Sequence, residues 1–317
     1  MQSLKRRRPK VVVVAGPTAS GKSSLALAIA QEFNGSIINA DSMQVYKDLR
    51  ILTSRPTQIE EAAVIHRLYG YLEIDEVCSA GAWAKQAADE IEAADANNYV
   101  SILVGGTGLY LNALLNGLAP VPPIADGVRL SAQEKLKELG NQAFHAALRE
   151  RDPQSARGLY PSDSQRLIRA WEVLEATGRS ITSWHADQLA HPPVAANWLK
   201  ILLLPPRPDL YLSCDERFKI MVETGAVDEV RTLLAQNPTH DAPLMKAIGV
   251  KNIALYLEGK VSLAEAIDEG RKATRRYAKR QVTWFQNQFS ADIYKKTQYS
   301  ESISLEIFSK IRQFLLT

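Results

Sequence analysis

Four short runs of consecutive apolar positions punctuate an otherwise mixed chain: Val11 to Ala15, Ser36 to Ala40, Val100 to Val104 and Leu199 to Leu204. Runs of this length without polar alternation mark strands buried on both faces, the condition of a parallel sheet. Between them lie stretches with helical spacing, such as Ser24 to Phe33 and Trp83 to Ala94. The alternation predicts βαβ units and an α/β fold, a doubly wound parallel sheet flanked by helices. From Ala119 the rhythm breaks. Pro120-Val121-Pro122-Pro123 opens a segment with helical patterns at Val128 to Leu139, Ala143 to Glu150 and Ser164 to Ala176, and His191-Pro192-Pro193 closes it. We expect an all-helical insertion domain over 119–193, between a first part of the core (1–118) and a return to the sheet (194–317). From Tyr211 onward the pattern is again helical, through Arg217 to Leu234 and Leu263 to Gln288.

The chain has 317 residues, more than one hydrophobic core usually serves, which agrees with a main domain and a smaller one. Apolar residues at 46% and charged residues at 23% exclude a disordered chain. Neither a membrane-length apolar run nor a signal peptide behind the basic start Met1 to Lys10 is visible, so the expected location is cytoplasmic. Two cysteines, Cys78 and Cys214, are too few for a disulfide framework or a zinc site.

Chemistry enters at Gly16-Pro17-Thr18-Ala19-Ser20-Gly21-Lys22-Ser23, which fits the phosphate-loop pattern GxxxxGK[ST] between a strand-like and a helix-like run. There, backbone N–H groups and a helix N-terminus can cradle a chain of phosphates, with Lys22 as a point charge and the Ser23 hydroxyl facing Mg²⁺. A di- or triphosphate ligand is expected. The second strand runs into Asp41-Ser42-Met43-Gln44-Val45-Tyr46, where Asp41 can point into the ligand crevice or merely cap a helix. The third runs into Gly105-Gly106-Thr107-Gly108, which either lets a ligand approach the backbone and Thr107, or is a structural turn. The clearest candidate for a Walker-B strand therefore ends in glycines. Asp41 is the only obvious acid to take that part, which weakens a nucleotide-hydrolase reading.

The formal charge of +3 is too small to imply nucleic acid by itself, but its distribution is uneven. Lys5-Arg6-Arg7-Arg8 reads as an arm or as a solvated tail. Arg271, Lys272, Arg275, Arg276, Lys279 and Arg280 fall within ten residues that hold no acid. On a helix of about 100° per residue they share one half of the surface, with Tyr277, Gln281, Trp284 and Phe285 on the other. Cations without acidic neighbours favour a polyanionic partner over a solvated face.

Taken together, Gly16 to Ser23, Asp41 to Tyr46, Gly105 to Tyr110 and Thr274 to Trp284 closely resemble the tRNA dimethylallyltransferase (tRNA isopentenyltransferase) family. The resemblance runs over nearly the whole chain and includes Asp163 to Ala170 and Lys246 to Lys251. It implies a P-loop NTPase-like core and transfer of a dimethylallyl group from dimethylallyl diphosphate to N6 of adenosine 37, in the anticodon stem-loop of tRNA. By that resemblance the P-loop and Mg²⁺ hold the diphosphate leaving group and not an ATP to be hydrolysed. Asp41 accepts the amine proton, Thr107 contacts the reacting end of the diphosphate, and Arg217 neutralises the released pyrophosphate. Ser42, Met43 and Gln44 line the adenine pocket with Asp41. Contacts to tRNA fall to Arg129, to Gln165, Arg166, Leu167, Ile168 and Arg169, to Lys246 to Lys251, and to Arg276, Lys279, Arg280 and Gln281. The compact bacterial type is expected, since no Cys/His-rich finger follows Trp284, and a monomer is expected as well.

The chain departs from many relatives after Tyr46, where Leu52-Thr53-Ser54-Arg55-Pro56 stands for Gly-Thr-Ala-Lys-Pro, which bears on Thr53 and Arg55. The resemblance assigns no residues to the prenyl tail. Three other functions compete: an adenylate isopentenyltransferase, a P-loop small-molecule kinase and a nonenzymatic RNA-binding protein.

Overall fold

In a computed structural model that describes residues 7–187, 191–239 and 241–317, the chain divides into two compact units, 1–115 with 193–317, and 116–192. Lys5 and Arg6 of the basic arm lie outside the described residues. The first unit runs β1 (Lys10–Ala15), α1 (Lys22–Glu32), β2 (Gly35–Asn39), α2 (Gln58–Ala63), β3 (Ile65–Arg67), α3 (Ala80–Ala96), β4 (Val100–Gly105) and α4 (Gly108–Asn116). The second holds α5 (Asp126–Arg151), α6 (Pro153–Ala156), α7 (Ser164–Thr177) and α8 (Ile181–Ala186). The chain then returns through β5 (Asn197–Leu203), α9 (Arg207–Met221), α10 (Val227–Ala235), α11 (Val250–Leu257), α12 (Leu263–Gln288), β6 (Ile293–Lys295) and α13 (Ser304–Leu316).

The sheet has the order β3-β2-β4-β1-β5-β6, and every pairing is parallel. Strand β1 lies near its middle, with Val12 opposite both Ile102 of β4 and Leu199 of β5. Its side chains alternate between two cores. Val11, Val13 and Ala15 join Ile38, Leu103 and Leu202 on one face, under α3, α4 and α9. Val12 and Val14 join Ile37, Ile102 and Ile201 on the other, under α1 and α13. The unbroken Val11–Val14 run is thus the direct result of a strand with no solvent face.

All four strands read from apolar runs are present, within about one or two residues of the expected ends. The helical runs Val128 to Leu139 and Ala143 to Glu150 are both present, as the two arms of α5 on either side of a break at Gly140, whose φ of 73° leaves the helical region. One helical expectation needs correcting: Arg217 to Leu234 is not one helix. It is α9 and α10 joined by a π-helical turn, Val222–Ala226, with Gly225 at φ 117°.

Trp83 of α3 locks the sheet end that carries the site. Its indole N–H donates to the Asn39 carbonyl at 2.9 Å, and its ring stacks on Tyr110 of α4 at 4.5 Å. Trp83→Ala is expected to cost about 3–5 kcal/mol of stability, measured by urea unfolding, because it opens a cavity and orphans a buried carbonyl. Within the helical unit, Phe144 of α5 packs on Trp171 of α7 at 4.9 Å, with Leu148 and Leu167 completing a small core.

Candidate functional site: a phosphate loop beside a lined pocket

The turn from β1 into α1 depends on glycine at two points. A Cβ on Gly16 would fall 2.6 Å from the Leu203 carbonyl oxygen, and Gly21 sits at φ 82° with Tyr299 closing behind it. Ala19 is left-handed as well, at φ 62°, although it carries a side chain. The Ser20 N–H donates to Pro17 O at 3.3 Å, which tightens the loop. Lys22 bends back over it, its Nζ 3.4 Å from Pro17 O. Desolvation pushes this ammonium down to about 8, while the Asp41 carboxylate acts against that fall. Arg217 reaches in from α9 to the Thr18 hydroxyl. Burial lowers its guanidinium too, and its Nε has no hydrogen-bond partner among the described residues. Two desolvated cations and an unmet donor around a loop of N–H groups form a receptor for a multiply charged anion.

The tip of β2 places Asp41 through Asn39. The buried Asn39 amide donates to Asp41 O and Leu68 O, each at 3.0 Å, and its Oδ1 accepts the Asp41 N–H at 2.8 Å. Asp41 Oδ1 accepts the Met43 N–H at 2.9 Å, so the carboxylate caps a turn, not a helix, and still lines the pocket. Thr107 Oγ1 accepts the Ser42 N–H at 3.0 Å and lies 3.3 Å from Ser42 Oγ, which ties the ends of β2 and β4 together. The Tyr277 phenol is pushed up, first by burial and then by the nearby Asp41 charge.

These groups border a pocket of about 220 Å³. Thr18, Asp41, Ser42, Arg217, Lys246, Tyr277 and Arg280 supply polar lining. Met43, Leu52, Phe218, Met221, Ala247 and Ile248 supply apolar lining. Met43 was expected in the pocket, and Ala247 and Ile248 among the RNA contacts; Leu52, Phe218 and Met221 are the lining that sequence reasoning did not assign. Its signal was faint: Phe218 and Met221 follow Arg217 on α9, and Phe218 is wedged so closely that Cβ atoms on Gly249 and Gly270 would come within 2.8 and 2.1 Å of its ring.

The remaining expected residues divide. Lys251 is exposed on α11, away from the pocket lining. Gln44 does not line this pocket, because its amide donates to Thr53 O and Ser54 O at 2.8 and 2.9 Å and so holds the departing segment. In that segment Arg55 donates to the Tyr46 and Lys47 carbonyls at 3.0 and 2.8 Å, a structural use of the arginine. Gln281 is 6% exposed and bonded inward, so it offers no side chain to an outside RNA. In the helical unit, Leu167 is fully buried against Phe144 and Trp171 and cannot present its side chain either, and Ile168 is partly buried beside it. Gln165 is exposed, Arg166 pairs with Asp163 at 3.4 Å, and Arg169 pairs with the buried Glu172 at 2.6 Å. Arg129 approaches the same Glu172 at 4.0 Å.

The expectation of six unpaired cations on α12 also needs correcting. Lys272 pairs with Asp268 and Glu269, Arg275 pairs with Asp215, and Arg271 donates to the Asp215 carbonyl at 3.2 Å. The acids lie on the preceding turn and on α9, outside the ten-residue window. Arg276, Lys279 and Arg280 make no ion pair among the described residues, and with Thr283, Trp284 and Asn287 they line a shallow groove of about 560 Å³. If these cations meet phosphates, Arg276→Ala with Lys279→Ala weakens RNA binding and lowers the slope of log affinity against log salt by about 1 per lost contact. Filter binding across a salt series measures it, and an unaltered slope makes this a solvated face.

A glycine-bearing loop with two desolvated cations at the carboxyl end of a central parallel strand, beside a pocket that Asp41 lines, is the arrangement of a P-loop-type α/β enzyme suited to group transfer. Among known proteins, residues 44–288 match the family model described as IPP transferase. The chain is 49% identical to a tRNA dimethylallyltransferase of Paramagnetospirillum magneticum, over 96% of this chain and 97% of that protein. A tRNA dimethylallyltransferase of Rhodospirillum rubrum is 49% identical over 97% and 95%. Among solved structures, the full-length tRNA isopentenylpyrophosphate transferase of Bacillus halodurans matches with TM-score 0.71 and 32% identity, covering 97% of each chain. A eukaryotic dimethylallyltransferase described as acting on tRNA matches with TM-score 0.81 and 26% identity, covering 97% of this chain and 79% of that one. The chain belongs to the IPP transferase family and is a prenyltransferase.

Proposed function

We propose that the protein transfers a dimethylallyl group from dimethylallyl diphosphate to N6 of adenosine 37 in the anticodon stem-loop of tRNA. The observation that carries this reading is that one pocket joins apolar lining, Leu52, Phe218, Met221, Ala247 and Ile248, to Asp41 and to Thr18 and Arg217 of the phosphate cradle. The apolar lining suits a prenyl tail; a phosphate-transfer site needs no such surface. The diphosphate is gripped by the N–H groups at the start of α1, by Lys22 and by Arg217, whose unmet Nε is satisfied by a phosphate oxygen.

The reaction forms the N6–C1 bond and breaks the C1–O bond of the donor. The N6 proton passes to the Asp41 carboxylate, and pyrophosphate leaves into the cradle with its charge met by Lys22 and Arg217. Thr107, whose hydroxyl is tied to Ser42, hydrogen-bonds the reacting end of the diphosphate in this reading. An adenine stacked in a loop cannot reach Asp41, so the base is extruded into the pocket, where Ser42 and Met43 flank it. Mg²⁺ fits the donor set: the Ser23 hydroxyl at the start of α1 offers a hard oxygen, and this ion is ordinarily held by few protein ligands together with phosphates and water. When bound, it neutralises charge on the diphosphate.

The test is incubation with dimethylallyl diphosphate, Mg²⁺ and unmodified tRNA, followed by nucleoside mass analysis. Prenylated adenosine is expected. Modification of free AMP alone identifies an adenylate isopentenyltransferase, and ATP consumption without prenylation identifies a kinase.

A further inference from the structure

Gln281 was expected among the RNA contacts, and its surroundings show a different use. It lies on α12 one turn beyond Tyr277, and its amide is buried between two loops. Its Oε1 accepts the Thr18 N–H of the phosphate loop at 2.8 Å. Its Nε2 donates to the Gly106 carbonyl at 2.9 Å, one residue before Thr107. One flat side chain therefore spans the diphosphate cradle and the loop that carries the residue at the reacting end.

The fit has no slack. A Cβ on Gly106 would fall 2.4 Å from the Gln281 amide nitrogen and 2.9 Å from Gly16 O, so the two loops touch at glycine and the glutamine fills the remaining gap. Both amide ends are needed: one neighbour presents a donor and the other an acceptor, which an amide answers and a carboxylate or thioether does not. The bond to Thr18 also removes that N–H from ligand binding, and the Ser20 N–H is taken by Pro17 O. The loop thus reaches its ligand with two amides already committed, which leaves the N–H groups at the start of α1 to the phosphates.

We propose that Gln281 is a positioning residue that fixes the distance between the phosphate loop and Thr107, so that donor binding and chemistry depend on it while RNA affinity does not. The inference rests on the reading of the cradle as a diphosphate site. Losing two buried hydrogen bonds of ordinary strength loosens the receptor by about tenfold in an equilibrium constant.

The experiment uses the full chain with Gln281→Met, which keeps the length and loses both bonds, and Gln281→Asn, which keeps the amide but is too short to span. Binding of inorganic pyrophosphate with Mg²⁺ is measured by calorimetry, and binding of an anticodon stem-loop across a salt series by filter retention. Both variants are expected to weaken pyrophosphate binding about tenfold and to lower kcat, with the stem-loop affinity and salt slope of wild type. If Gln281→Met does not fold, Gln281→Asn alone decides. Pyrophosphate affinity equal to wild type, with or without a fall in melting temperature, overturns the proposal. So does a loss of stem-loop affinity or salt slope at unchanged pyrophosphate affinity, which makes Gln281 an RNA contact. If wild type binds pyrophosphate no better than Lys22→Met, the diphosphate reading fails and the inference falls with it. If that difference is present but both Gln281 variants match wild type, only the inference fails.

Discussion

Asp41→Asn is expected to lower kcat for prenylation by about 10² to 10⁴ and to leave tRNA binding within about twofold of wild type. The range is that of a positioned general base acting on a reluctant nucleophile, and the exocyclic amine of adenine is one. Asparagine keeps the shape and can still accept the Met43 N–H through its amide oxygen, so the turn that Asp41 caps survives. What it lacks is the capacity to take a proton. Single-turnover measurement at saturating donor and tRNA separates the chemical step from binding. Unchanged turnover would assign the proton to another group.

Lys22→Met is expected to reduce kcat/KM for the donor by about 10² to 10³, the usual effect of removing one charged group from a preorganised anion site. The expected pH dependence follows from the same residue. With its ammonium lowered to about 8, Lys22 is protonated below that pH, and the affinity for dimethylallyl diphosphate is fully present there. As pH rises through about 8 the neutral amine takes over in the free protein, and each bound donor must recruit a proton. Donor affinity measured in the absence of RNA should therefore decline above about pH 8 in wild type and stay flat in Lys22→Met. A wild-type profile that is level from pH 7 to 10 would show that the ammonium carries no part of the grip.

The central strands were legible because burial on both faces leaves its record in every position, as in Val11 to Val14. Strands β3 and β6 have only three residues each, Ile65–Arg67 and Ile293–Lys295, and mix polar with apolar side chains, so no run marks them. At the break in Arg217 to Leu234, the residues on either side of Gly225 keep helical spacing, and only the backbone dihedral shows the interruption. The phosphate loop was legible for the opposite reason: its chemistry is local, eight consecutive residues between two elements. Gln281 was not, since its partners lie 263 and 175 residues away along the chain. Helical periodicity placed it on the inward face of α12 but could not say that the inward face meets backbone rather than side chains. Charge on α12 was overread for a related reason. Asp215, which answers Arg275, is supplied by another helix.

Ala19, in its left-handed bend, has a bearing on how this site could be altered. For a residue with a methyl group that conformation costs about 1–2 kcal/mol, and glycine would adopt it freely. Yet glycine would also give the unfolded chain more conformations to surrender, and the bend more ways to wander. Because the strain outweighs that entropy, Ala19 holds the bend tight at a net cost to folding, which glycine would relieve by letting the bend loosen.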